Sequence, residues 1–243
     1  MKASPEQQRL LLEVVDLDAR ITRAQHARNE PPEAPRISEL VAQRQEYTRD
    51  LTQLIGVLED ARTELSRIES DVQLVEQRKA LDNERLVTTS NPKDAQALEN
   101  ELENLARRQS DLEDMQLEVM ARVEDAEAAV AAQQALIDEI TSEGTALSTR
   151  AKAGIAAATA EEESLRAQRA EVVGGIPEDL LADYERRAAR GVGAGLLRRG
   201  TCEGCQMVLS ASDLSKIRQT AADDVVYCPE CSGILVRTEE SGL

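Results

Sequence analysis

The sequence predicts a mainly α chain in which two long helices fold back on each other, followed by a small β-rich module. Three observations predict it. Aromatic residues make up 1% of 243 residues, while charged residues make up 31%. Apolar residues recur at alternating spacings of three and four over most of the first 170 positions. Four cysteines stand in two C-x2-C pairs near the end. An ordinary globular core needs aromatic bulk, so the composition excludes one; a long helix pair with a narrow aliphatic seam tolerates it. The net charge of -17 also fits disorder, but a disordered chain has no reason to be periodic.

The spacing predicts a first helix over residues 4–29, with Leu10, Val14, Leu17 and Ile21 on one face. Asn29 to Pro35 holds three prolines and breaks it, giving an interruption near 29–36. From Ile37 through Leu40, Leu51, Leu58, Leu65 and Ile68 to Val75 the three/four pattern is sustained, with Arg44 the one charged seam position. A repeat this long marks a seam facing another helix. Thr88 to Pro92 is the second break; Asn91 reads as an N-cap and Pro92 as the first helical residue. The second seam runs from Leu98 through Leu112, Val119 and Ile140 to Val172. Ser4–Val87 and Pro92–Glu171 span 84 and 80 residues. Equal arms around a short break make an antiparallel coiled-coil hairpin, each arm about 120 Å long at ~1.5 Å per residue. Residues 151–160, rich in alanine, should lie opposite helix 4–29. Pairing of open arms between chains is the competing arrangement, disfavoured by the short turn.

Gly174-Gly175 ends the second arm. A helix over Pro177–Arg190 follows, acidic at its start and basic at its end as the helix dipole favours. Gly191, Gly193 and Gly195 predict a flexible or tightly turned connection. The domain division expected is a hairpin over 1–173, a connecting helix and glycine-rich linker over 174–195, and a cysteine module over 196–243.

Cys202, Cys205, Cys228 and Cys231 form two C-x2-C knuckles separated by 22 residues. So short a segment cannot hold itself folded by apolar burial. Four thiolates at this spacing close a tetrahedral site around Zn²⁺, which supplies folding free energy. The module therefore reads as a zinc ribbon with one structural zinc. Strands are expected at 196–201, 206–209, 225–227 and 234–237, with a helical insert at 212–219. Gly204 and Gly233 are expected to supply the unusual backbone of the knuckles. A redox dithiol and a four-thiolate iron site are the weaker alternatives; a catalytic zinc keeps an open position, and four cysteines leave none.

The runs Ile176-Pro-x-x-Leu180-Leu-x-x-Tyr184-x-Arg186, Gly200-x-Cys202-x-Gly-Cys205-x-Met207-x-Leu209 and Tyr227-Cys228-Pro-x-Cys231-x-x-Ile234-Leu235 carry a resemblance. The chain resembles a bacterial family of long coiled-coil hairpin proteins with a C-terminal four-cysteine zinc ribbon. The resemblance implies a non-enzymatic adaptor, with links in that family to flagellar or type III secretion, to an alternative sigma factor and to mRNA binding through the ribbon. It matches the four cysteines to the zinc ligands. After the last knuckle this chain has Ser232-Gly233 where the family tends to Gly-Arg, which removes one basic residue.

Charge is unevenly spread. Segment 94–143 carries three basic and fourteen acidic residues, net -11. Segment 186–218 carries seven basic residues (Arg186, Arg187, Arg190, Arg198, Arg199, Lys216 and Arg218) and two acidic ones, net +5. Those seven are the candidate contacts for RNA or DNA phosphate. Two function classes follow: a protein adaptor or scaffold, possible partners being the transcription or secretion machinery, and a nucleic-acid-binding regulator acting through the ribbon. A third, a structural spacer, needs neither. No nucleophile–base pair, phosphate loop or small-molecule site is recognisable, so an enzyme is not expected. No charge-free stretch exceeds ten residues, well short of the ~20 that span a membrane. Without a signal-peptide core, and with thiols suited to metal, the expected location is the cytoplasm.

Overall fold

A computed structural model describes all 243 residues. Helix α1 spans Pro5–Asn29, α2 Ala34–Thr88, α3 Pro92–Val173 and α4 Glu178–Ala188. Strands β1 (Ala194–Arg198), β2 (Thr201–Cys202) and β3 (Met207–Val208) follow, then α5 (Ala211–Gln219), β4 (Ile234–Val236) and a 3-10 turn, Glu239–Ser241.

Local chemistry sets the helix ends. Ser4 accepts from the Gln7 backbone N–H at 3.2 Å, and the Ser4 N–H donates to the Gln7 side chain at 2.9 Å. This reciprocal cap, with Pro5 in the first turn, starts α1. The helix stops before Pro31-Pro32. Helix α2 starts at Ala34 rather than Ile37, because Pro35 fits a first helical turn. Asn91 caps α3 as expected, its Oδ1 accepting from the Lys93 N–H at 3.0 Å.

The chain divides into two compact units. Within Pro35–Ser148, α2 and the first part of α3 run antiparallel. Ile68, Leu112 and Val119 are buried against one another, with Leu65, Val72 and Val75 packed beside them. Ion pairs cross between the helices: Arg62–Glu127 at 2.7 Å and Arg122–Glu64 at 2.8 Å. The Lys79 ammonium donates to Gln109 at 2.6 Å. The seam is aliphatic and narrow, which is how the unit folds without aromatic bulk.

The second unit joins Met1–Ala34 to Thr149–Leu243. Leu17, Ile21 and Ala24 of α1 pack on Leu165 of α3. Gln25 and Arg28 reach Glu162 at 3.0 and 2.6 Å, and Asp18 pairs with Arg169 at 2.6 Å. The contacts of α1 thus fall at Glu162–Val172, past the alanine-rich stretch that was expected to face it. Buried Glu162 accepts from Gln25 and Arg28 of α1 as well as from Arg166 of its own helix, which satisfies its carboxylate at this contact.

Helix α1 has a second role that the periodicity did not disclose. Leu11 and Val14 share a core with Leu180 and Tyr184 of α4, Ala194 of β1 and Ile234 of β4. The first residues extend this junction: Ala3 N–H donates to the Asp223 carbonyl at 2.8 Å, and Val225 N–H to the Met1 carbonyl at 3.1 Å. The four strands form one sheet in the order β3-β2-β1-β4, with β1 parallel to β4 and the other pairs antiparallel. Two strand expectations change. The run 196–201 is a strand that turns at Arg199-Gly200, both at positive φ, into β2. Val225–Tyr227 is no strand; Tyr227 alone bridges to Ile234.

Candidate metal centre

Each knuckle is a tight loop closed by its own backbone. Gln206 N–H donates to the Cys202 carbonyl at 2.7 Å, and Ser232 N–H to the Cys228 carbonyl at 2.9 Å. The left-handed positions are Gln206 at φ 63° and Ser232 at φ 62°, each one residue after the second cysteine of its pair. Gly204 and Gly233 do not supply that conformation, contrary to expectation. They are needed for space. A Cβ on Gly204 would lie 2.5 Å from Val192 Cγ1, and one on Gly233 would lie 2.9 Å from the Val192 carbonyl oxygen.

Residues 192–195 are therefore packed between the knuckles and do not form a flexible linker. Gly195 lies within β1, and a Cβ there would meet the Gly204 backbone nitrogen at 2.6 Å. Gly193 is pressed against the Tyr184 ring, with 2.5 Å left for a Cβ. Only Gly191 has nothing within 4 Å of a new Cβ, and its φ of 145° is a conformation that still favours glycine; Gly193 and Gly195 fit the tightly turned alternative.

The four cysteine Sγ atoms all lie within 4.8 Å of one another, and Cys205 and Cys228 are 3.9 Å apart. Tetrahedral zinc with Zn–S bonds of ~2.3 Å requires sulfur–sulfur edges of about 3.8 Å, so the donor set fits the ion. Cys202 and Cys228 are buried; Cys205 and Cys231 are half-buried. Burial pushes the Cys202 thiol up to about 12 and raises Cys231 as well. Burial also opposes ionisation at Cys205, but the Met207 backbone N–H and the neighbouring thiols bring it below its ordinary value. Cys202, Cys205, Cys228 and Cys231 would hold a divalent cation, whose charge would favour thiolates, and the backbone N–H groups of Gly204, Cys205, Met207 and Gly233 stand beside the Cys202, Cys205 and Cys231 sulfurs to support them. The centre suits one structural zinc with four sulfur ligands.

Two arginines that the motif reading did not explain hold the ribbon. Arg187 of α4 pairs with Asp183 at 2.9 Å, lies 4.0 Å over the Tyr227 ring and donates to the Ser232 carbonyl. It ties α4 to the second knuckle. Arg237 donates to the carbonyls of Thr220, Ala221 and Asp224 at 2.9, 2.8 and 2.6 Å, closing the loop after α5.

The seven basic candidates do not form one free patch. Arg186 and Arg187 both pair with Asp183, Lys216 pairs with Asp213, and Arg198 is held between Glu203 and Glu240, each at 2.8 Å. Arg190, Arg199 and Arg218 are exposed and carry no ion pair. The fold also brings in segment 219–243, which carries one basic residue, Arg237, and five acidic ones, Asp223, Asp224, Glu230, Glu239 and Glu240, net -4. The +5 of segment 186–218 is thereby almost cancelled within the folded module.

Comparison with known proteins agrees with this architecture. The description "CT398-like coiled coil hairpin domain" matches residues 14–192, and "C4-type zinc ribbon domain" matches residues 201–235, which include all four cysteines. Uncharacterised proteins of Mycobacterium tuberculosis are 33% identical over 98% of both chains. One from Mycobacterium leprae is 27% identical over 90% of this chain and 95% of its own length. A solved structure from Mycobacterium smegmatis matches with TM-score 0.79 and 33% identity, covering 98% of this chain and 100% of that one. CT398 of Chlamydia trachomatis matches with TM-score 0.58 at 17% identity over 96% of this chain and 98% of its own, a likeness of fold. No helix is long and apolar enough to cross a membrane. The matched helical region and the four-sulfur cluster beyond it lead to one conclusion: this chain belongs to the CT398-like coiled-coil hairpin family and carries a C4-type zinc ribbon at its C-terminal end.

Proposed function

We propose that the chain is a non-enzymatic adaptor, located in the cytoplasm, that binds protein through its helical hairpin and protein or nucleic acid through its ribbon. Cys202, Cys205, Cys228 and Cys231 hold the zinc in this reading, and a four-sulfur shell leaves no coordination position for a substrate. Residues 1–173 act as the partner-binding hairpin, 174–195 as its connector and 196–243 as the ribbon.

The observation that carries the reading is the surface of α2 and α3. Val57, Leu74, Leu81 and Leu117 are each more than half exposed, on helices whose own seam is already filled. Large apolar side chains left outside the seam offer another protein apolar surface to cover, provided they lie in one patch. The test is affinity purification of the full chain from its native cell, with and without nuclease. Specific partners that survive nuclease support the adaptor, with the transcription and secretion machineries the first classes to look for. Associations lost entirely on nuclease treatment overturn it.

Nucleic-acid binding is the second reading, favoured by Arg190, Arg199 and Arg218 standing exposed and unpaired. Three phosphate contacts give weak, salt-sensitive affinity. A salt titration with RNA and DNA checks it, and affinity indifferent to salt and to Arg199→Glu/Arg218→Glu removes it.

A further inference from the structure

Within the Pro35–Ser148 unit, a groove of about 440 Å³ runs along the junction of α2 and α3. Its origin is in the sequence. Ala61 and Ala126 are buried seam residues in places where Leu54, Leu58 and Leu65 set the usual bulk. Small side chains there leave the surface sunken. Val57, 59% exposed, and Ala129 line it beside them. Asp60 from α2 and Asp125 from α3 stand on its rim, exposed and without an ion pair. The other rim charges, Glu64 and Arg122, neutralise each other at 2.8 Å.

Charge decides what fits. The segment 94–143 that supplies one wall is net -11, and the whole chain is net -17. A second copy of this chain, a nucleic acid or an anionic lipid surface would set like charges against Asp60 and Asp125. The complementary ligand is apolar on one side and cationic beside it. A groove parallel to two packed helices accepts a third helix, whose apolar residues at i, i+3 or i+4, and i+7 enter while flanking Lys or Arg reach the rim.

We propose that this groove is the docking site for a basic amphipathic helix of a protein partner. The proposal rests on the adaptor reading and narrows it to one surface and one ligand chemistry. The full chain is titrated with a synthetic amphipathic helix of leucine and lysine carrying a fluorophore and one benzophenone on its apolar face. Binding saturates, weakens as salt rises, and places photo-crosslinks near Val57 and Ala129. Asp60→Lys/Asp125→Lys lowers affinity at least about tenfold, since both rim charges are reversed. Glu69→Lys/Glu124→Lys makes the same charge change outside the groove and leaves affinity within about twofold. Neither variant alters a paired or buried residue, and unchanged helicity verifies folding. Equal weakening by both variants, or crosslinks scattered along α2 and α3, overturns the docking site. Nuclease-resistant partners retained in that case leave the adaptor reading standing with the contact elsewhere.

Discussion

The Arg187 guanidinium lies 4.0 Å over the Tyr227 ring while its Nε donates to Asp183 at 2.9 Å. One side chain thereby joins α4 to the residue that precedes the second zinc knuckle. Arg187→Ala removes the stack, the bond to the Ser232 carbonyl and one partner of an Asp183 that is only 5% exposed. The expected loss is about 2 kcal/mol of stability, the scale of a partly buried cation–π contact plus a charge-assisted hydrogen bond. Arg187→Lys keeps the charge but not the planar fork, and recovers only part of it. Chemical denaturation measures the loss, and faster zinc transfer to a chelator locates it at the ribbon.

Two of the buried carboxylates, Glu162 and Asp183, make the fold less stable in acid. Glu162 is held below its ordinary value by hydrogen bonds from Gln25 and Arg166, with Arg28 adding its charge. At Asp183 burial works against the charge, but Arg187 and Arg186 outweigh it and the carboxyl is again lowered. Both groups take up protons more readily in the unfolded chain. Their contribution is therefore complete above the ordinary carboxylate range, about pH 4 to 4.5, and is lost as pH falls through the lower folded values. Urea midpoints between neutral and strongly acidic pH should drop on the acid side. Glu162→Gln should make that drop shallower, because one of the titrating groups is gone.

Chelation should release one zinc per chain and loosen the ribbon without melting the hairpin. Leu197, Ile234 and Leu235 are fully buried around the sulfur cluster and its sheet, whose folding is linked to the ion. Ile68, Leu112 and Val119 belong to a separate core. Hydrogen exchange after metal removal should show protection lost at the first set and kept at the second. Loss at both would mean that the ion stabilises the whole chain.

Periodicity and cysteine spacing made the helices and the ligand set legible, because each is a local pattern with one physical solution. Asn91-Pro92 located the start of α3, and four cysteines located the metal. What stayed hidden is what the fold brings together from distant positions. Nothing in the sequence says that Glu240 lies beside Arg198, so the apparent basic head lost much of its charge on folding. The docking of Leu11 and Val14 on Ala194 and Ile234 was equally invisible, since an apolar stripe does not name its partner. The glycine pattern was misread for a related reason. Sequence favours conformational freedom as the role of glycine, whereas Gly195 and Gly204 are there because two backbones touch.

That difference separates two substitutions. Gly195→Ala places a methyl group against the Gly204 backbone, which cannot swing aside, and should cost about 1 to 3 kcal/mol with weakened zinc retention. Gly56 sits inside α2 with nothing within 4 Å of a new Cβ. Gly56→Ala should instead stabilise the hairpin by up to about 1 kcal/mol through helix propensity. Denaturation of the two variants should give opposite signs.

Asp82 is fully buried near the hairpin turn, paired with Arg78 at 2.7 Å and Arg85 at 3.2 Å, both more than half exposed. It follows the seam of Val72 and Val75, where an aliphatic residue would continue the pattern. Desolvating the carboxylate costs free energy that two solvated arginines only partly return. Asp82→Leu should therefore raise stability by about 1 kcal/mol, replacing a compensated charge with seam packing. Asp82→Ala removes the same ion pairs but leaves a void, and should lower stability by about 1 to 2 kcal/mol. Urea midpoints of the two variants decide the matter. A loss in both would show that the carboxylate and its arginines contribute more than an aliphatic side chain could at this point of the seam.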